Sequence, residues 1–384
     1  MNDTFEKLGV NPLLCEGLSK ASILNPTPVQ KEVIPSALSG KDLIGESDTG
    51  TGKTLAYLLP LFQKIDPEKK ENQALILAPT HELASQIQRE IEKLALNSGV
   101  PVKSALIIGG VNLSRQIEKL KEKPQIVTGS LERILELIQK KKISAHTVKT
   151  IIIDEADRLL DSNLYRSIQT LVKTTLKDRQ IMTFSATMTE KAITMGKELM
   201  KEPFIVKLTG KTEVSPDIDH FYFFAEFRER IEVLRKIIKT IGNERALLFI
   251  NKSDDIEVIA GKLNFFGIKA AGLYSTLGKN ERKKTLDDFR NDKIQILVAT
   301  DIAARGLDIQ GIGYVFNFDI PKDPEIYLHR AGRTGRNGAK GTVMTTITAK
   351  ELPLVEKYQN KLKIQMIEKK IFKGKIVEKD FFEN

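Results

Sequence analysis

The sequence predicts an α/β protein with two tandem domains, each a mostly parallel sheet covered by helices on both faces. Short apolar runs rich in β-branched residues alternate with amphipathic segments along the whole chain, as in strands buried on both faces. The length of 384 residues exceeds what one core usually holds. A polar stretch at residues 208–217, with a Gly and a Pro, is the best linker. We therefore expect domains at 1–207 and 218–384.

The predicted strands recur in both halves of the chain. In the first half they are residues 42–45, 74–78, 105–108, 125–128, 150–153 and 180–184. In the second half they are residues 246–250, 270–273, 295–299, 314–318 and 342–345. The charged end of the chain, from Glu368, is typical of a final strand or helix with a frayed tip.

Composition limits the class of protein. No apolar run approaches the roughly 20 residues that span a bilayer, and the N-terminus lacks a signal-peptide layout. Cys15 is the only cysteine, which suits a reducing cytosol. The net charge is +10, and residues from 218 onward hold 30 Lys and Arg against 23 Asp and Glu, or +7. This balance fits a polyanion partner, although a solvated basic face would look the same.

A phosphate-binding loop is predicted between the run at 42–45 and the apolar residues that follow position 54. It reads Thr49-Gly50-Thr51-Gly52-Lys53-Thr54. Bare backbone N–H groups at a helix N-terminus bind phosphate, Lys53 can reach the terminal phosphates, and the Thr54 hydroxyl can ligate Mg²⁺. Ser47 stands where the usual pattern has its first Gly. A Gly-rich turn without a ligand is the alternative.

Two acids follow the apolar run at 150–153. Asp154 and Glu155 would lie at the carboxyl edge of a sheet, where α/β proteins bind ligands. Asp154 can hold Mg²⁺, and Glu155 can deprotonate the water that attacks a γ-phosphate. The alternative is a helix N-terminus that is simply rich in acids.

Arginines recur near the end of the second half. Arg330, Arg333 and Arg336 have three-residue spacing, which predicts that they share one helical face. A guanidinium can neutralise charge on a transferring phosphoryl group. A solvated basic helix is the alternative.

These motifs, in this order, resemble the DEAD-box ATP-dependent RNA helicases, whose name is spelled by residues 154–157. The resemblance covers nearly the whole chain and implies two RecA-like domains. It identifies Arg333 and Arg336 as arginine fingers. It also implies that Gln30 reads the adenine of ATP, with Phe5 as the upstream aromatic, and that Asp308 contacts the nucleotide. Mg²⁺ is the implied metal.

The resemblance also implies roles towards RNA. The residues expected to bind its backbone are Pro79, Thr80, Gly110, Thr128, Arg133 and Thr300. Ser185 and Thr187 belong to the motif that links hydrolysis to strand separation, and their hydroxyls are expected to bond Asp157. Backbone contacts carry little sequence information, so binding should be sequence-tolerant. Because phosphate loop and fingers lie on different domains, hydrolysis would require them to close together.

Several positions depart from the family pattern. They are Ile23, His81, Ser130-Leu131-Glu132-Arg133, Tyr274-Ser275 and Lys279. Ile23 replaces an aromatic that stacks on adenine, Ser130 is expected to cap a helix, and Glu132 adds an acid where phosphate should bind. Apart from Ile23, the altered positions are ones that the resemblance places towards RNA, while the ATPase residues are intact. We therefore expect an RNA-stimulated ATPase with modest unwinding.

Other functions stay open from the sequence. An RNA clamp or ribonucleoprotein remodeller with little unwinding is the nearest alternative, and a DNA helicase or a non-catalytic annealing chaperone are more distant ones. We expect a cytoplasmic monomer. Ribosome assembly and mRNA turnover both stay open as its pathway, and the short, core-only length favours ribosome assembly, with pre-ribosomal particles as the substrate. His146 and His220 have no partners at ligand spacing, so no zinc site is expected.

Overall fold

A computed structural model describes residues 4–47, 51–160, 163–208, 216–274, 277–304, 312–335 and 339–379. The chain divides into two compact units, Met1–Gly210 and Lys211–Asn384. Each unit contains one large sheet with helices on both faces, as the sequence predicts. Leu208 still donates its N–H to the carbonyl of Glu46 in the first sheet, at 2.9 Å.

The first unit has a seven-stranded parallel sheet in the order β3-β4-β2-β5-β6-β1-β7. Its strands are β1 (Leu43–Glu46), β2 (Ala74–Leu77), β3 (Ser104–Ile107), β4 (Ile126–Gly129), β5 (Thr150–Asp154), β6 (Gln180–Ser185) and β7 (Phe204–Lys207). Its helices are α1 (Pro12–Lys20), α2 (Pro28–Leu38), α3 (Lys53–Lys64), α4 (His81–Ser98), α5 (Leu113–Lys121), α6 (Leu131–Gln139), α7 (Ala156–Leu160), α8 (Tyr165–Thr174) and α9 (Glu190–Leu199).

The second unit has an eight-stranded sheet in the order β10-β11-β9-β12-β13-β8-β14-β15, antiparallel only between its last two strands. Its strands are β8 (Ile218–Phe224), β9 (Ala246–Phe249), β10 (Ala270–Leu273), β11 (Ile296–Ala299), β12 (Tyr314–Asn317), β13 (Gly341–Ile347), β14 (Met366–Phe372) and β15 (Lys375–Glu378). Its helices are α10 (Arg230–Thr240), α11 (Ile256–Phe265), α12 (Lys279–Arg290), α13 (Asp301–Ala304), α14 (Pro324–Ala331) and α15 (Leu352–Leu362).

The buried strands explain why the apolar runs are continuous. Strands β2, β9 and β11 are buried at every residue, because helices cover both faces of the sheet. Each strand predicted from the sequence is present. Strands β7 and β8 are additions: β7 is half exposed, and β8 mixes aromatic with polar residues. Within the described ranges, no helix is both long and apolar enough to cross a bilayer.

Candidate active site

The phosphate loop leads from β1 into α3, and its last glycine fits only as a glycine. Gly52 has φ +90°, and a Cβ there would lie 2.5 Å from Nε2 of Gln30. The loop therefore requires glycine at position 52 for two reasons: an L side chain rarely adopts this φ, and a Cβ would collide with Gln30. Thr49 and Gly50 lie outside the described residues.

Polar contacts connect the described residues on either side of the loop. The Lys53 ammonium donates to the backbone carbonyl of Ser47. The hydroxyl oxygens of Ser47 and Thr51 are 2.5 Å apart, so the residue that replaces the usual glycine bonds across the loop. Ser47 also donates its N–H to the carbonyl of Ser185 at 3.0 Å, which ties the loop to the end of β6. Lys53 is thereby held where the helix begins.

Asp154 ends β5 and is almost fully buried, at 5% exposure. Its Oδ2 accepts from the Tyr57 hydroxyl at 2.9 Å, and its Oδ1 accepts from the N–H of Glu155 at 2.9 Å. Burial raises the pKa of Asp154, and the positive charge of Lys53 opposes that rise. The carboxylate is therefore oriented from two directions, and the nearby ammonium favours its charged form.

Tyr57 connects Asp154 to the phosphate-loop helix. Its side chain is fully buried on α3, where its hydroxyl also hydrogen-bonds Thr54, one turn earlier. Burial, and then the charge of Asp154, raise the pKa of Tyr57 well above its usual range. The hydroxyl therefore stays protonated as a donor. Its ring lies 5.2 Å from the ring of Phe184, which itself occupies the space that a Cβ on Gly45 would fill.

The donors brought together here fit Mg²⁺. The Thr54 hydroxyl and the Asp154 carboxylate contact the same Tyr57 hydroxyl, and both are hard oxygen donors of the kind that Mg²⁺ prefers. Across the described parts of the chain, no group of three or more His, Cys, Asp or Glu side chains could hold a metal. A metal with few protein ligands that completes its shell with phosphate and water matches this arrangement.

Glu155 follows Asp154 in a strained backbone conformation. Its φ is +47°, in the left-handed region that residues other than glycine rarely adopt and that is common at functional sites. Its Oε2 accepts from Nη1 of Arg158 at 3.3 Å. Burial, and then the charge of Asp154, raise the pKa of Glu155, while Arg158 lowers it. The carboxylate thus has increased proton affinity, as a general base requires.

Of the two hydroxyls expected to bond Asp157, those of Ser185 and Thr187, the structure gives the bond from Ser185. Ser185, at the end of β6, donates its hydroxyl to Oδ1 of Asp157 at 2.5 Å. The N–H of Thr187 donates to Oγ of Ser185 at 3.3 Å. Together with the bond from Ser47, these contacts join the loop, the acidic motif and the end of β6.

Gln30 and Phe5 are both buried. Oε1 of Gln30 accepts from the N–H of Thr27 at 2.9 Å, and its Nε2 donates to the carbonyl of Gly52 at 3.1 Å. Both amide atoms are thus engaged, and Gln30 joins α2 to the phosphate loop. Phe5 is 4% exposed and packs in the core. Ile23 packs partly against the same core.

Arg330 of the second unit is held by a dense set of acceptors. It binds both carboxylate oxygens of Asp301, at 2.7 and 2.8 Å, and also Oδ1 of Asn317 and of Asn251. Its guanidinium carbon lies 5.2 Å from the ring centroid of Phe249, and the residue is 1% exposed. Arg330 is therefore an internal connector of the second unit.

The prediction that three arginines share one helical face is wrong. Helix α14 ends at Ala331, so Arg333 lies in the turn that follows it. Arg333 and His329 line a shallow pocket with Arg330 and Asp301. Arg336 and Asp308 lie outside the described residues. Glycine at position 332 disfavours continuation of the helix beyond Ala331, because it has the lowest helix propensity after proline.

Family models match both units in the same order. The DEAD/DEAH box helicase model matches residues 27–195, and the helicase conserved C-terminal domain model matches residues 229–338. The chain belongs to the DEAD-box ATP-dependent RNA helicases. The DEAD-box ATP-dependent RNA helicase CshC of Bacillus cereus is 42% identical over 96% of this chain and 94% of its own length. The probable ATP-dependent RNA helicase YfmL of Bacillus subtilis is 39% identical over 94% and 95%.

A solved structure of this family adds ligands. S. cerevisiae Dbp5 bound to RNA and ADP BeF3 has a TM-score of 0.85 and 27% identity, and the match covers 95% of each chain. Two tandem RecA-like domains are thus the architecture of this DEAD-box protein, as the sequence predicts.

The RNA-facing candidates of this DEAD-box protein lie after adjacent strands. Thr80 follows β2, Gly110 follows β3 and Arg133 follows β4, and these strands are neighbours in the sheet. Thr80 accepts from the N–H of Leu83 at 3.2 Å as the N-cap of α4, beside the half-buried Pro79. Gly110 is exposed with φ +64°. One sheet edge therefore collects these groups.

Two expectations about this edge need correction. Thr128 is 0% exposed within β4, so its side chain is not available to a surface ligand in this structure. Its neighbour Gly129 is needed for packing, because a Cβ there would lie 1.7 Å from the carbonyl oxygen of Ile107. Ser130 occupies the N-cap position of α6 but makes no capping hydrogen bond with its side chain.

The remaining candidates make local contacts. Arg133 pairs with Glu136, with Nε 3.3 Å from Oε2. Thr300 follows β11 in the second unit and accepts from the N–H of Ala303 at 3.4 Å. Ser275 lies outside the described residues.

Sequence reasoning missed Tyr57 and the role of Arg330. Tyr57 is three residues after Thr54, so helical spacing alone predicts that both side chains share a face of α3. Arg330 carried no such signal, since its acceptors come from separate strands and loops of the second unit.

Proposed function

We propose that this DEAD-box protein hydrolyses ATP with Mg²⁺ and couples hydrolysis to the binding and local unwinding of RNA. The observation that carries the proposal is the junction of Thr54, Tyr57 and Asp154, with Lys53 and Glu155 beside it. This junction supplies groups for phosphate, metal and water in one buried, oriented cluster.

Each residue of the cluster has one task in this proposal. Lys53 binds the terminal phosphates in place of the Ser47 carbonyl, and Glu155 accepts the proton of the attacking water. Thr54 and Asp154 hold Mg²⁺, which neutralises phosphate charge when bound. Thr49, Gly50, Thr51 and Gly52 offer N–H groups to the phosphates. Gln30 reads adenine, for which it must release Gly52 or Thr27.

Arg333 and Arg336 stabilise the charge that develops on the transferring phosphoryl group. They belong to the second unit, whereas the phosphate loop belongs to the first. Hydrolysis therefore requires the units to approach one another. RNA bound by Thr80, Gly110, Arg133 and Thr300 would favour the same approach, so ATP and RNA strengthen each other's binding. The bond from Ser185 to Asp157 supports a coupling role for Asp157, Ser185 and Thr187.

The RNA substrate is recognised through its backbone and without strong sequence preference. We propose that the protein acts as a monomer in the cytoplasm and that pre-ribosomal particles are its substrate. Short duplexes would be parted only modestly. The exposed Glu132 repels phosphate at the N-terminus of α6, and Arg133 is already paired with Glu136. The same observation favours the second candidate function, an RNA clamp with little unwinding.

Steady-state ATP hydrolysis with and without single-stranded RNA tests the proposal. RNA should stimulate the wild-type protein many-fold. Glu155→Gln should abolish hydrolysis yet retain ATP-dependent RNA binding, because only the base is lost. Strand displacement on a short duplex separates helicase from clamp. Hydrolysis that does not respond to RNA, or that responds equally to DNA, would contradict the proposal.

A further inference from the structure

We propose that the C-terminal β-hairpin is a second RNA-binding surface, which contacts single-stranded RNA through its phosphates and by base stacking. The hairpin consists of β14, the turn at Lys373 and Gly374, and β15. It lies beyond residue 338, where the family match ends. The proposal rests on RNA as the substrate of the proposed function, but the side chains that form the new surface are not among the residues named there.

Positive charge is concentrated in this segment. Residues 361–379 contain seven lysines and two glutamates, a net +5. The chain from residue 218 onward has a net charge of +7. Residues 361–384, which add Asp380 and Glu383, account for +3 of it, so the excess of +5 is local to residues 361–379. A local excess of this kind is the usual electrostatic signature of a polyanion site.

The two glutamates neutralise lysines away from the turn. Lys369 Nζ lies 3.0 Å from Glu378 Oε1, and Lys379 Nζ lies 3.1 Å from Glu368 Oε2. Lys369 is nearly buried, and it also lies over the ring of Phe221 at 5.0 Å. These pairs belong to the base of the hairpin, and they leave both acids of the segment engaged there.

Near the turn, lysines surround an exposed aromatic ring instead. Phe372 is 36% exposed and lies directly opposite Lys375, while Lys370 lies opposite Val377. The Lys373 ammonium is 5.3 Å from the centroid of the Phe372 ring. Lys370, Lys373 and Lys375 are all exposed. An exposed ring among cations is the arrangement by which proteins stack bases and bind the backbone of single strands.

The hairpin extends towards the same end of the sheet as Thr300, namely the end at which the parallel strands have their carboxyl termini. Strand β14 runs parallel to β8, and its last pair with β8 joins Glu368 to Tyr222. Its remaining residues continue towards the carboxyl ends of the parallel strands. Thr300 directly follows β11 at that same edge. Five strand spacings of about 4.8 Å, or about 24 Å in total, separate β14 from β11. An RNA that only fills the site at Thr300 is therefore too short to reach the hairpin, whereas a longer RNA can contact both.

Edge protection explains only part of these features. Lysines on an edge strand prevent pairing with other sheets, and β15 is an edge strand. That function does not call for an exposed phenylalanine at the turn, since an apolar ring there promotes association. A flexible acidic protein would complement the charge of the lysines, but it would not use the exposed Phe372 ring as a base-stacking surface. Single-stranded RNA suits both.

The test compares Lys370→Gln/Lys373→Gln/Lys375→Gln with Lys140→Gln/Lys141→Gln/Lys142→Gln, a matched control that removes the same charge from exposed lysines at the end of α6. Binding is measured by fluorescence anisotropy with oligouridine of about 6 and about 30 nucleotides. The hairpin variant should bind the long strand about tenfold more weakly at low salt, with a log–log salt slope smaller by about 2. Both variants should bind the short strand with the same affinity as the wild-type protein.

Phe372→Ala separates stacking from charge. It should weaken binding of the long single strand about fivefold or more, and leave a blunt duplex unaffected. Unchanged affinity of the long strand in the triple variant, or an equal loss in the α6 control, would overturn the proposal. An acidic partner protein would then be the remaining occupant. RNA-stimulated hydrolysis at saturating RNA should persist in every variant. Its absence in the wild type would refute the proposed function instead.

Discussion

Tyr57 places a single hydroxyl between the two proposed Mg²⁺ ligands, and it does so from the helix that begins at the phosphate loop. Tyr57 is a positioning residue in this proposal, because its hydroxyl contacts the side chains of both proposed ligands, Thr54 and Asp154. The packing of Phe184 against Gly45 and Tyr57 explains why the ring is fixed. A buried hydroxyl that is held so firmly orients both ligands before any nucleotide binds.

Tyr57→Phe should weaken the Mg²⁺ dependence of nucleotide binding. The ring and its packing are retained, but Asp154 loses one of its two oriented donors. ADP affinity measured at increasing Mg²⁺ should need about tenfold more metal to reach its plateau, whereas metal-free ADP binding stays the same. Tyr165→Phe, which removes a hydroxyl bonded to Glu198 on the surface, is the matched control. If Tyr57→Phe and Tyr165→Phe needed the same Mg²⁺ concentration to reach the plateau of ADP affinity, this result would argue against a positioning role for Tyr57.

Glu155 should give the pH profile of kcat an acid limb that lies above the ordinary pKa of a glutamate side chain. The folded protein raises its pKa through burial and the charge of Asp154, so the base becomes protonated and kcat falls as pH drops through that raised value. Arg158 opposes the rise, so Arg158→Ala should move the acid limb to higher pH. The control is Lys173→Ala, which removes a positive charge from the exposed side of α8. If the pH profile of kcat were identical in the wild-type protein, Arg158→Ala and Lys173→Ala, Glu155 would be excluded as the base.

At the scale of elements, one arginine joins several parts of the second unit. Arg330 connects α14 to α13 through Asp301, to the end of β12 through Asn317, and to the residues after β9 through Asn251. Arg330 and Asp301 line the same pocket as Arg333, and Thr300 directly precedes Asp301. The position of Arg333 therefore depends on a buried network that its own sequence neighbourhood does not reveal.

Arg330→Ala should unfold the second unit more easily, by about 3–5 kcal/mol, because Asp301 would keep a half-buried charge without its partner. Arg333→Ala should leave stability close to wild type and reduce kcat by about 10³-fold, as expected of an arginine finger. Chemical denaturation and steady-state ATPase assays measure the two effects. If Arg333→Ala instead lowered stability and Arg330→Ala only reduced kcat, then Arg330 would be the arginine finger and Arg333 the structural residue.

The sequence predicted elements better than it predicted partners. Buried parallel strands carry their signal locally, so runs such as 74–78 and 246–250 were correct as strands. The acidic motif was likewise placed correctly at the end of β5. Thr128 and Arg330 were misjudged, because burial depends on what packs above a strand or around a helix end. The hairpin was only half anticipated, because a mixture of charged and apolar residues is compatible with either a strand or a helix.

At the scale of the whole molecule, nucleotide and RNA must act on one shared equilibrium. The phosphate loop and acids belong to one unit, and Arg333 to the other. If both ligands favour approach of the units, the factor by which nucleotide strengthens RNA binding must equal the factor by which RNA strengthens nucleotide binding. The reciprocity holds for equilibrium binding whatever the extent of unwinding, so it applies to helicase and clamp alike.

We expect ADP–beryllium fluoride to strengthen the binding of a short oligouridine by about 5- to 150-fold, a coupling free energy of about 1–3 kcal/mol. Saturating RNA should strengthen binding of the analogue by the same factor. Ser185→Ala breaks the bond to Asp157 and should reduce both factors together. Thr170→Ala, which removes a hydroxyl bonded within α8, should change neither. Calorimetric titrations in both orders measure the two factors. If Ser185→Ala bound RNA and nucleotide with undiminished coupling, the link between β6 and the acidic motif would be structural only, and the signal between the ligands would have to pass through other contacts.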